Sequence, residues 1–400
     1  MELRPGYKQT EVGIIPEDWD VCDLGAVSSK ITDGDHLTPK REREGNYLLS
    51  ARNIRDSYID LNDVDYVGDE EYKRMRQRCA PEVGDILISC SGHGLGRAST
   101  VPEGLRCVLV RSAALVKLNS RKADGLFIQY WLQSADAQSQ ISSSKSLAAQ
   151  PNLFINSIER LRCLLPATVS EQRTIATALS DVDALLATLD RLIAKKRDLK
   201  QAAMQQLLTC QTRLSGFTGE WVVKPLGEVA DVQKGQLITE KDAKPGNIPV
   251  IAGGKKPAYF HNVPNRRGKT ITISGSGASA GYVAFFDRDI FASDCSTISE
   301  SQDYSIEFLF FALQARQNAI YKAQTGGAQP HIHPSDIRPI MINVPKLAEQ
   351  TAIAAVLKDM DEELALLEQR LVKTRALKKG MMQELLSGKT RLVFPKESHA

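Results

Sequence analysis

Two stretches of this chain repeat apolar residues at alternating steps of four and three. Ile175, Leu179, Val182, Leu186, Leu189 and Ile193 make the first row, and Ile353, Leu357, Met360, Leu364, Leu367 and Leu371 the second. A narrow a/d row of this kind is the seam of a coiled coil. The spacing predicts two helices of around 35 residues, each about 50 Å long at 1.5 Å per residue. The simplest use of two such seams is to pack on each other. Thr168-Val169-Ser170-Glu171 fits a capping box at the first start, whereas Lys346-Leu347-Ala348-Glu349 lacks the hydroxyl. Gly388 suits a left-handed cap at the second end, and Cys210 holds the matching place in the first.

Elsewhere the pattern changes. Short apolar runs, among them Asp85–Ser89, Val108–Val110, Lys269–Ser274 and Tyr282–Phe286, alternate with Gly- and Pro-rich turns and predict strands. Amphipathic stretches at Gly125–Gln138 and Ile306–Tyr321 predict one helix each. From Phe394 onward the composition predicts a frayed tail.

The chain repeats itself. Residues Glu171 to Leu214 align without a gap on Glu349 to Leu392, with about half the positions identical. Glu171-Gln172 falls on Glu349-Gln350, Asp181 and Asp183 on Asp359 and Asp361, and Thr212-Arg213-Leu214 on Thr390-Arg391-Leu392. Weaker matches extend outward. Trp19 with Leu24-Gly25 answers Trp221 with Leu226-Gly227. Ala149-Gln150-Pro151 answers Ala328-Gln329-Pro330, and Ser89, Ser91, Gly92 and Gly96 answer Ser274, Ser276, Gly277 and Gly281. The order is therefore module, helix, module, helix. The expected boundaries are 1–165, 166–214, 215–344 and 345–392, with a tail at 393–400. The fold class is α+β, two mixed modules and two long helices in a pseudo-two-fold repeat.

With 400 residues, 42% hydrophobic and 25% charged, there is enough apolar mass for two or three cores. No apolar run approaches the roughly 18 residues of a membrane span. The opening Met1–Gly6 has no apolar stretch behind it, so no secretory leader is expected. Seven scattered cysteines without a C-x-x-C argue for reduced thiols, a cytoplasmic setting, and neither a disulfide frame nor a zinc knuckle. A net charge of +3 excludes a simple polybasic binder. Nucleic acid, if bound, is held by local patches.

Several motifs fail on context. Gly277-Ala278-Ser279-Ala280-Gly281 matches the nucleophile elbow, but strand-like residues follow where a helix is required. Gly92-His93-Gly94-Leu95-Gly96 does not open a helix either, and its recurrence in the second module marks a tight strand-to-strand connection. Gly268-Lys269-Thr270 lacks the earlier glycine of a P-loop. His331-Ile332-His333 could offer two metal ligands, but no Cys, Asp or Glu cluster stands beside it to complete a site. No nuclease or methyltransferase centre is legible, so the chain reads as non-catalytic and free of bound metal or cofactor. What remains is polar and basic loops. The first module has Lys40-Arg41, Arg52-Asn53 and Lys73-Arg74; the second has Lys255-Lys256 and Arg266-Arg267 with Lys269. Acidic residues such as Glu42, Asp56 and Glu71 interleave, so many of these charges are simply solvated, yet these residue types also contact phosphates and base edges.

The repeated Pro…Glu-Gln-x-x-Ile-Ala…Leu-x-Asp-x-Asp, at Pro166–Asp183 and Pro345–Asp361, carries a family resemblance. So do the helix ends Gln205–Thr209 and Gln383–Leu392, the two Trp-x-x-x-x-Leu-Gly segments, and Asp33-Gly34-Asp35-His36-x-Thr38-Pro39. Over nearly its whole length the chain resembles the specificity subunits of type I restriction-modification enzymes. The departures, Cys210 for Gly and a helix start without hydroxyl at Lys346, concern caps. The resemblance implies two target recognition domains, each reading one half of a split, asymmetric double-stranded DNA site. It implies that the two helices form an antiparallel spacer that fixes the half-site distance and docks methyltransferase subunits. Two methyltransferase and two restriction-translocase subunits would assemble on the chain. S-adenosylmethionine, ATP and Mg²⁺ would belong to those partners, which would flip the target adenine. Half-sites one helical turn apart leave a spacer of about five to eight base pairs.

Carried over by position, the expected DNA contacts of the first module are His36, Thr38, Lys40, Arg41, Arg52, Asn53, Ser91, His93, Arg97, Gln150 and Asn152. Those of the second are Lys255, Lys256, Arg266, Arg267, Lys269, Ser276, Ser279, Gln329, His331 and His333. Two readings compete with DNA recognition. One is a protein-binding scaffold with two modules on a coiled-coil rod, favoured by the near-neutral charge. The other is an enzyme using Ser279.

Overall fold

The computed structural model describes residues 5–144, 151–326 and 329–392, with the backbone but not the side chain of His93; the tail from Phe394 lies outside them. The chain folds into two compact units. One takes the described residues of Met1–Thr188 and Leu371–Ala400, the other Leu189–Arg370.

The strands of the first unit that matter here are β1 (Asp20–Asp23), β2 (Ser28–Asp33), β3 (Asn46–Leu49), β4 (Ile86–Ser89), β5 (Ala98–Thr100), β6 (Cys107–Leu109), β7 (Ala113–Leu118) and β8 (Arg162–Leu165). Those of the second are β9 (Val222–Pro225), β10 (Gln233–Lys234), β11 (Ile248–Ile251), β12 (Lys269–Ser274), β13 (Val283–Asp287), β14 (Phe291–Ala292), β15 (Cys295–Ser299) and β16 (Met341–Val344). One antiparallel sheet runs β5-β4-β7-β2 in the first unit and β13-β12-β15-β10 in the second. A second sheet pairs β6 parallel to β3, and β14 parallel to β11. Two-stranded ribbons β1-β8 and β9-β16 complete the repeat. The duplication thus extends through the modules, where the sequences have drifted furthest apart.

At each of the two amphipathic stretches there are two helices where the apolar pattern predicts one. They are α1 (Gly125–Leu132) and α2 (Ala135–Ser144) in the first unit, and α4 (Ile306–Ala315) and α5 (Gln317–Lys322) in the second. The breaks have a physical reason. Ser134 Oγ accepts a 3.2 Å bond from the Ala137 amide and so starts α2 afresh. Beyond each break a glutamine amide reaches a glycine carbonyl, Gln138 to Gly96 at 3.2 Å and Gln317 to Gly281 at 2.7 Å. Both glycines have positive φ, +85° and +78°, and a Cβ there would meet Ile141 at 2.9 Å or Ile320 at 3.1 Å. The Gly-rich turns are therefore fixed connections clamped under the helices.

The long helices are α3 (Val169–Leu208) and α6 (Leu347–Leu385). Each unit contains the first half of one and the second half of the other. Within the first unit Asp183 pairs with Lys378 and Glu171 with Arg391, so the two segments run antiparallel. All twelve seam residues are buried or half-buried, Ile175, Leu179, Ile353 and Leu357 almost completely. The start of α3 and the last turn of α6, with Leu385 and Leu386, join the core around Trp19, Phe127 and Trp131. Leu207, Leu208, Ile353 and Leu357 join that around Phe308 and Leu309. Burying each such side chain contributes about 1.5–3 kcal/mol.

The Glu-Gln pair that opens each long helix has a fixed task. Gln172 accepts from the Asp124 amide at 2.8 Å and donates to the carbonyls of Lys122 and Pro166. Gln350 accepts from the Ser305 amide at 2.9 Å and donates to Pro345 at 2.9 Å. Asp124 and Ser305 are the N-caps of α1 and α4, so the glutamine ties the module helix to the long one. The glutamate takes a two-pronged arginine from the end of the other long helix. Arg391 holds Glu171 at 2.7–2.9 Å and also Asp18, and Arg213 holds Glu349 at 2.6–2.9 Å. Thr168 Oγ1 accepts from the Glu171 amide at 3.2 Å, but the Glu171 carboxylate serves Arg391, so only half of the expected capping box forms. Further along, Lys378 pairs with Asp183 at 2.6 Å over the Tyr130 ring, and Lys200 with Asp361 at 2.5 Å over the Phe311 ring.

Both helices end in a left-handed residue, Gly388 at φ +71° and Cys210 at φ +62°. Cys210→Gly removes backbone strain of about 1 kcal/mol and is expected to raise Tm without altering the fold. Gln172→Ala leaves a buried amide and two carbonyls without partners. The expected loss is about 2–3 kcal/mol, read from urea unfolding monitored by circular dichroism. A loss under half a kcal/mol would show that water replaces the side chain.

Candidate nucleic-acid interface

Three chain segments converge at one end of each antiparallel sheet. The first is the turn after β4, where Ser91 forms an antiparallel bridge with Asn152 and the Leu153 amide donates to Cys90 at 2.9 Å. The second is the link between β6 and β7, through a Cys90 amide to Ser112 carbonyl bond of 2.8 Å. The third is the loop after β2, carrying His36. Together Asp33, His36, Ser91, Arg111, Ser112 and Asn152 line a cleft of about 620 Å³.

The second unit repeats the frame bond for bond. Ser276 bridges His331, the Ile332 amide donates to Gly275 at 2.9 Å, and the Gly275 amide donates to Asp294 at 2.9 Å. The backbone geometry is shared, but the side chains differ. Asn152 is answered by His331, and Ser112 by Asp294, whose carboxylate accepts from the Ser276 hydroxyl. The His331 and His333 rings stack at 6.4 Å. His333 also precedes a short helix, its amide donating to Asp336 at 2.8 Å. Lys255 lies 5.2 Å over the Tyr282 ring, on a loop whose Gly253 abuts the Ser276 carbonyl.

The electrostatics of the first cleft centre on Asp33. Burial alone would raise its pKa, but Arg78 at 2.7 Å and His36 at 2.6 Å outweigh it and hold the carboxyl below its ordinary value. Arg111 is exposed and has no ion-pair partner among the described residues. Neither Asp33 nor Arg111 was among the sequence candidates. The signal for Arg111 is a charged residue closing the apolar run Val108–Val110.

Other candidates have different occupations. Asn53 is buried, accepting from Ser50 and donating to the carbonyls of Asp60 and Asp63 at 2.9–3.0 Å, which makes it a structural residue of its turn. Arg266 is spent internally on Thr297 Oγ1 at 2.9 Å and on the carbonyls of Asn265 and Lys234. Lys269 pairs with Glu307 at 2.6 Å. Arg41 and Arg52 converge on Asp65. By contrast, Arg267 is 82% exposed with only Asp289 at 3.9 Å. Thr38, Lys40, Lys256 and Gln329 are exposed, while Arg97 and Ser279 are half-buried. Gln150 and the His93 side chain lie outside the described residues. Ser279 sits in a 3-10 turn between β12 and β13, without the helix a nucleophile elbow requires. Among the described residues there is no cluster of three or more potential metal ligands, and no helix long and apolar enough to cross a membrane.

Residues 218–374 match the type I restriction modification DNA specificity domain. Along its length the chain is 25% identical to a Methanocaldococcus jannaschii protein named for the MjaX type I restriction enzyme specificity subunit, covering 96% of this chain and 97% of that one. It is 24% identical to the MjaVIII specificity subunit of the same organism, covering 94% of each. Its fold is that of a crystallised type I S subunit from Mycoplasma genitalium, at a TM-score of 0.66 and 16% identity over 96% of this chain and 98% of the other. Along its length, then, this chain is similar to the specificity subunits of type I restriction-modification systems. The scaffold reading gains no support from them.

Arg267 and Arg266 are adjacent but occupied differently, which separates their effects. Arg267→Ala is expected to weaken duplex DNA binding equally on all sequences and to make the salt dependence shallower by about one unit, measured by anisotropy titrations across salt concentrations. Arg266→Ala should instead lower Tm. An unchanged salt slope for Arg267→Ala removes it from the phosphate contacts.

Proposed function

We propose that each unit reads one half of a bipartite DNA site, and that the shared backbone frame is the reading device. The observation that carries this is the repeated bridge, Ser91 to Asn152 and Ser276 to His331, which puts different polar side chains in one equivalent position. An amide offers a donor and an acceptor to a base edge, as an imidazole does at different spacing, so the two halves of the site would differ. Arg111, Lys40, Lys256 and Arg267 supply exposed cations for the flanking phosphates.

In this reading the chain is the non-catalytic recognition subunit of a multisubunit enzyme in the cytoplasm. Two methyltransferase subunits dock on the long helices and two restriction-translocase subunits complete the assembly. Leu192 and Leu199 on α3, and Val372 and Leu377 on α6, remain exposed and support such docking. S-adenosylmethionine, ATP and Mg²⁺ act on those partners, and the methyltransferase extrudes the adenine it modifies. The long helices are, in this reading, the spacer that sets the distance between half-sites.

Methylome sequencing tests this in a methylation-free host that expresses the chain with its modification subunit, against the modification subunit alone. One split motif bearing N6-methyladenine, present only with this chain, is the expected outcome. A complex without a motif overturns the reading. His331→Ala should relax one half-site alone, by about 1–3 kcal/mol per base contact, and Asn152→Ala the other. Equal loss in both halves counts against the assignment.

A further inference from the structure

Cys22 and Cys163 face each other directly across the antiparallel ribbon β1-β8. Their sulfur atoms are 3.5 Å apart. Directly opposed residues of an antiparallel pair keep their Cα atoms about 4.5–5.5 Å apart, inside the roughly 4.4–6.8 Å that a disulfide spans. A bond therefore requires the sulfurs to approach by about 1.5 Å, within reach of side-chain rotation.

The two thiols are also unlike. Cys163 is fully buried, whereas Cys22 is half-buried and open to a small reagent. The hydrogen bond from Cys163 holds Cys22 below the ordinary thiol value, with help from Arg162 and against burial and the charges of Asp20 and Asp23. The same bond and burial push Cys163 well up. The other buried thiols, Cys79, Cys90, Cys107 and Cys295, are each pushed up to about 12 by burial. Cys22 thus has the features of an attacking sulfur, and Cys163 those of a resolving one.

We propose that Cys22 and Cys163 form a reversible disulfide within the chain, by exchange with a small-molecule disulfide of the glutathione class. The Cys22 thiolate attacks one sulfur of that disulfide, forms a mixed disulfide and releases one thiolate. The released thiolate takes the Cys163 proton. Cys163 then attacks the Cys22 sulfur and expels the second small thiolate, which is protonated by water. Two protein thiols are oxidised and one small disulfide is reduced to two thiols. The equivalent place in the second unit is Lys224 opposite Ile342, so the bond belongs to one unit only. It would fasten β8, which leads through Pro166 into α3, to the strand that follows Asp18 and its Arg391 clamp.

The test incubates the reduced full-length chain with oxidised glutathione, alkylates the remaining thiols and maps the peptides by mass spectrometry. The expected product links the Cys22 peptide to the Cys163 peptide and is reversed by dithiothreitol. In Cys163→Ser, glutathione should stay trapped on Cys22; in Cys22→Ser, Cys163 should remain free. Exposed Cys210 serves as the internal control, because it takes glutathione with no partner to resolve it. Glutathione on Cys210, with Cys22 and Cys163 both recovered as free thiols from the wild-type chain, overturns the proposal. That wild-type result decides without reference to either variant.

Discussion

The Glu-Gln pair at the start of each long helix is the joint on which the architecture depends. A helix start leaves amide groups without intrahelical partners, and a proline-led approach to it leaves a carbonyl exposed. Gln172 and Gln350 answer the second need by donating to the Pro166 and Pro345 carbonyls, and they accept from the N-cap amide of a module helix as well. Glu171 and Glu349 then receive an arginine from the end of the other long helix. In each unit two consecutive residues therefore join a module, the start of one helix and the end of the other. Arg391 lies 220 positions from Glu171, and Arg213 lies 136 from Glu349. The first unit is closed by a segment that the chain supplies from far away, from Leu371 onward, whereas the second is the continuous stretch Leu189–Arg370.

That closure separates two kinds of repetition. The joints repeat in residue identity because their geometry admits few substitutes: a carboxylate matched to a guanidinium, and an amide with one donor and one acceptor used at once. The module ends repeat only in backbone. The bridge at Ser91 and Ser276 and the amide bonds at Cys90 and Gly275 involve main-chain atoms, so they place no demand on the side chains they carry. Asn152 and His331, or Ser112 and Asp294, are free to differ. A frame held by backbone bonds is what allows one architecture to present two different surfaces.

These facts explain what was legible in the sequence. The seam was visible because burial on one face of a long helix imposes a strict spacing, and all twelve positions are withdrawn from solvent. The duplication was visible where side chains make the joints. The breaks at Ser134 and Arg316 were not, because α1 with α2, and α4 with α5, keep an apolar pattern across a turn set by local capping and by Gln138 and Gln317 reaching back to glycines. Among the candidate contacts, Ser91 with Asn152 and Ser276 with His331 were brought together because backbone pairing places them. Asn53 and Arg266 have the composition of binding residues and the surroundings of structural ones. Composition does not distinguish them, because hydrogen bonds within the fold use the same atoms that a phosphate would.

The same competition governs the electrostatics. A chain with 51 basic and 48 acidic residues has little net field, and the pairing is local as well as global. Arg78 is held by Asp33, Arg74 by Glu71 and Asp35, Arg41 and Arg52 by Asp65, and Lys269 by Glu307. Each exposed pair adds little to stability, roughly 0–1 kcal/mol, but it lowers the charge available to attract a polyanion. Arg267 and Arg111 stand out against that background, and Arg111 opens on the cleft where the frame presents Asn152. For the DNA reading proposed above, long-range attraction is accordingly weak, and binding has to come from contacts made at short range. A surface of that kind distinguishes one duplex from another by what its side chains meet at the base edges, because little non-specific attraction is present to mask the difference.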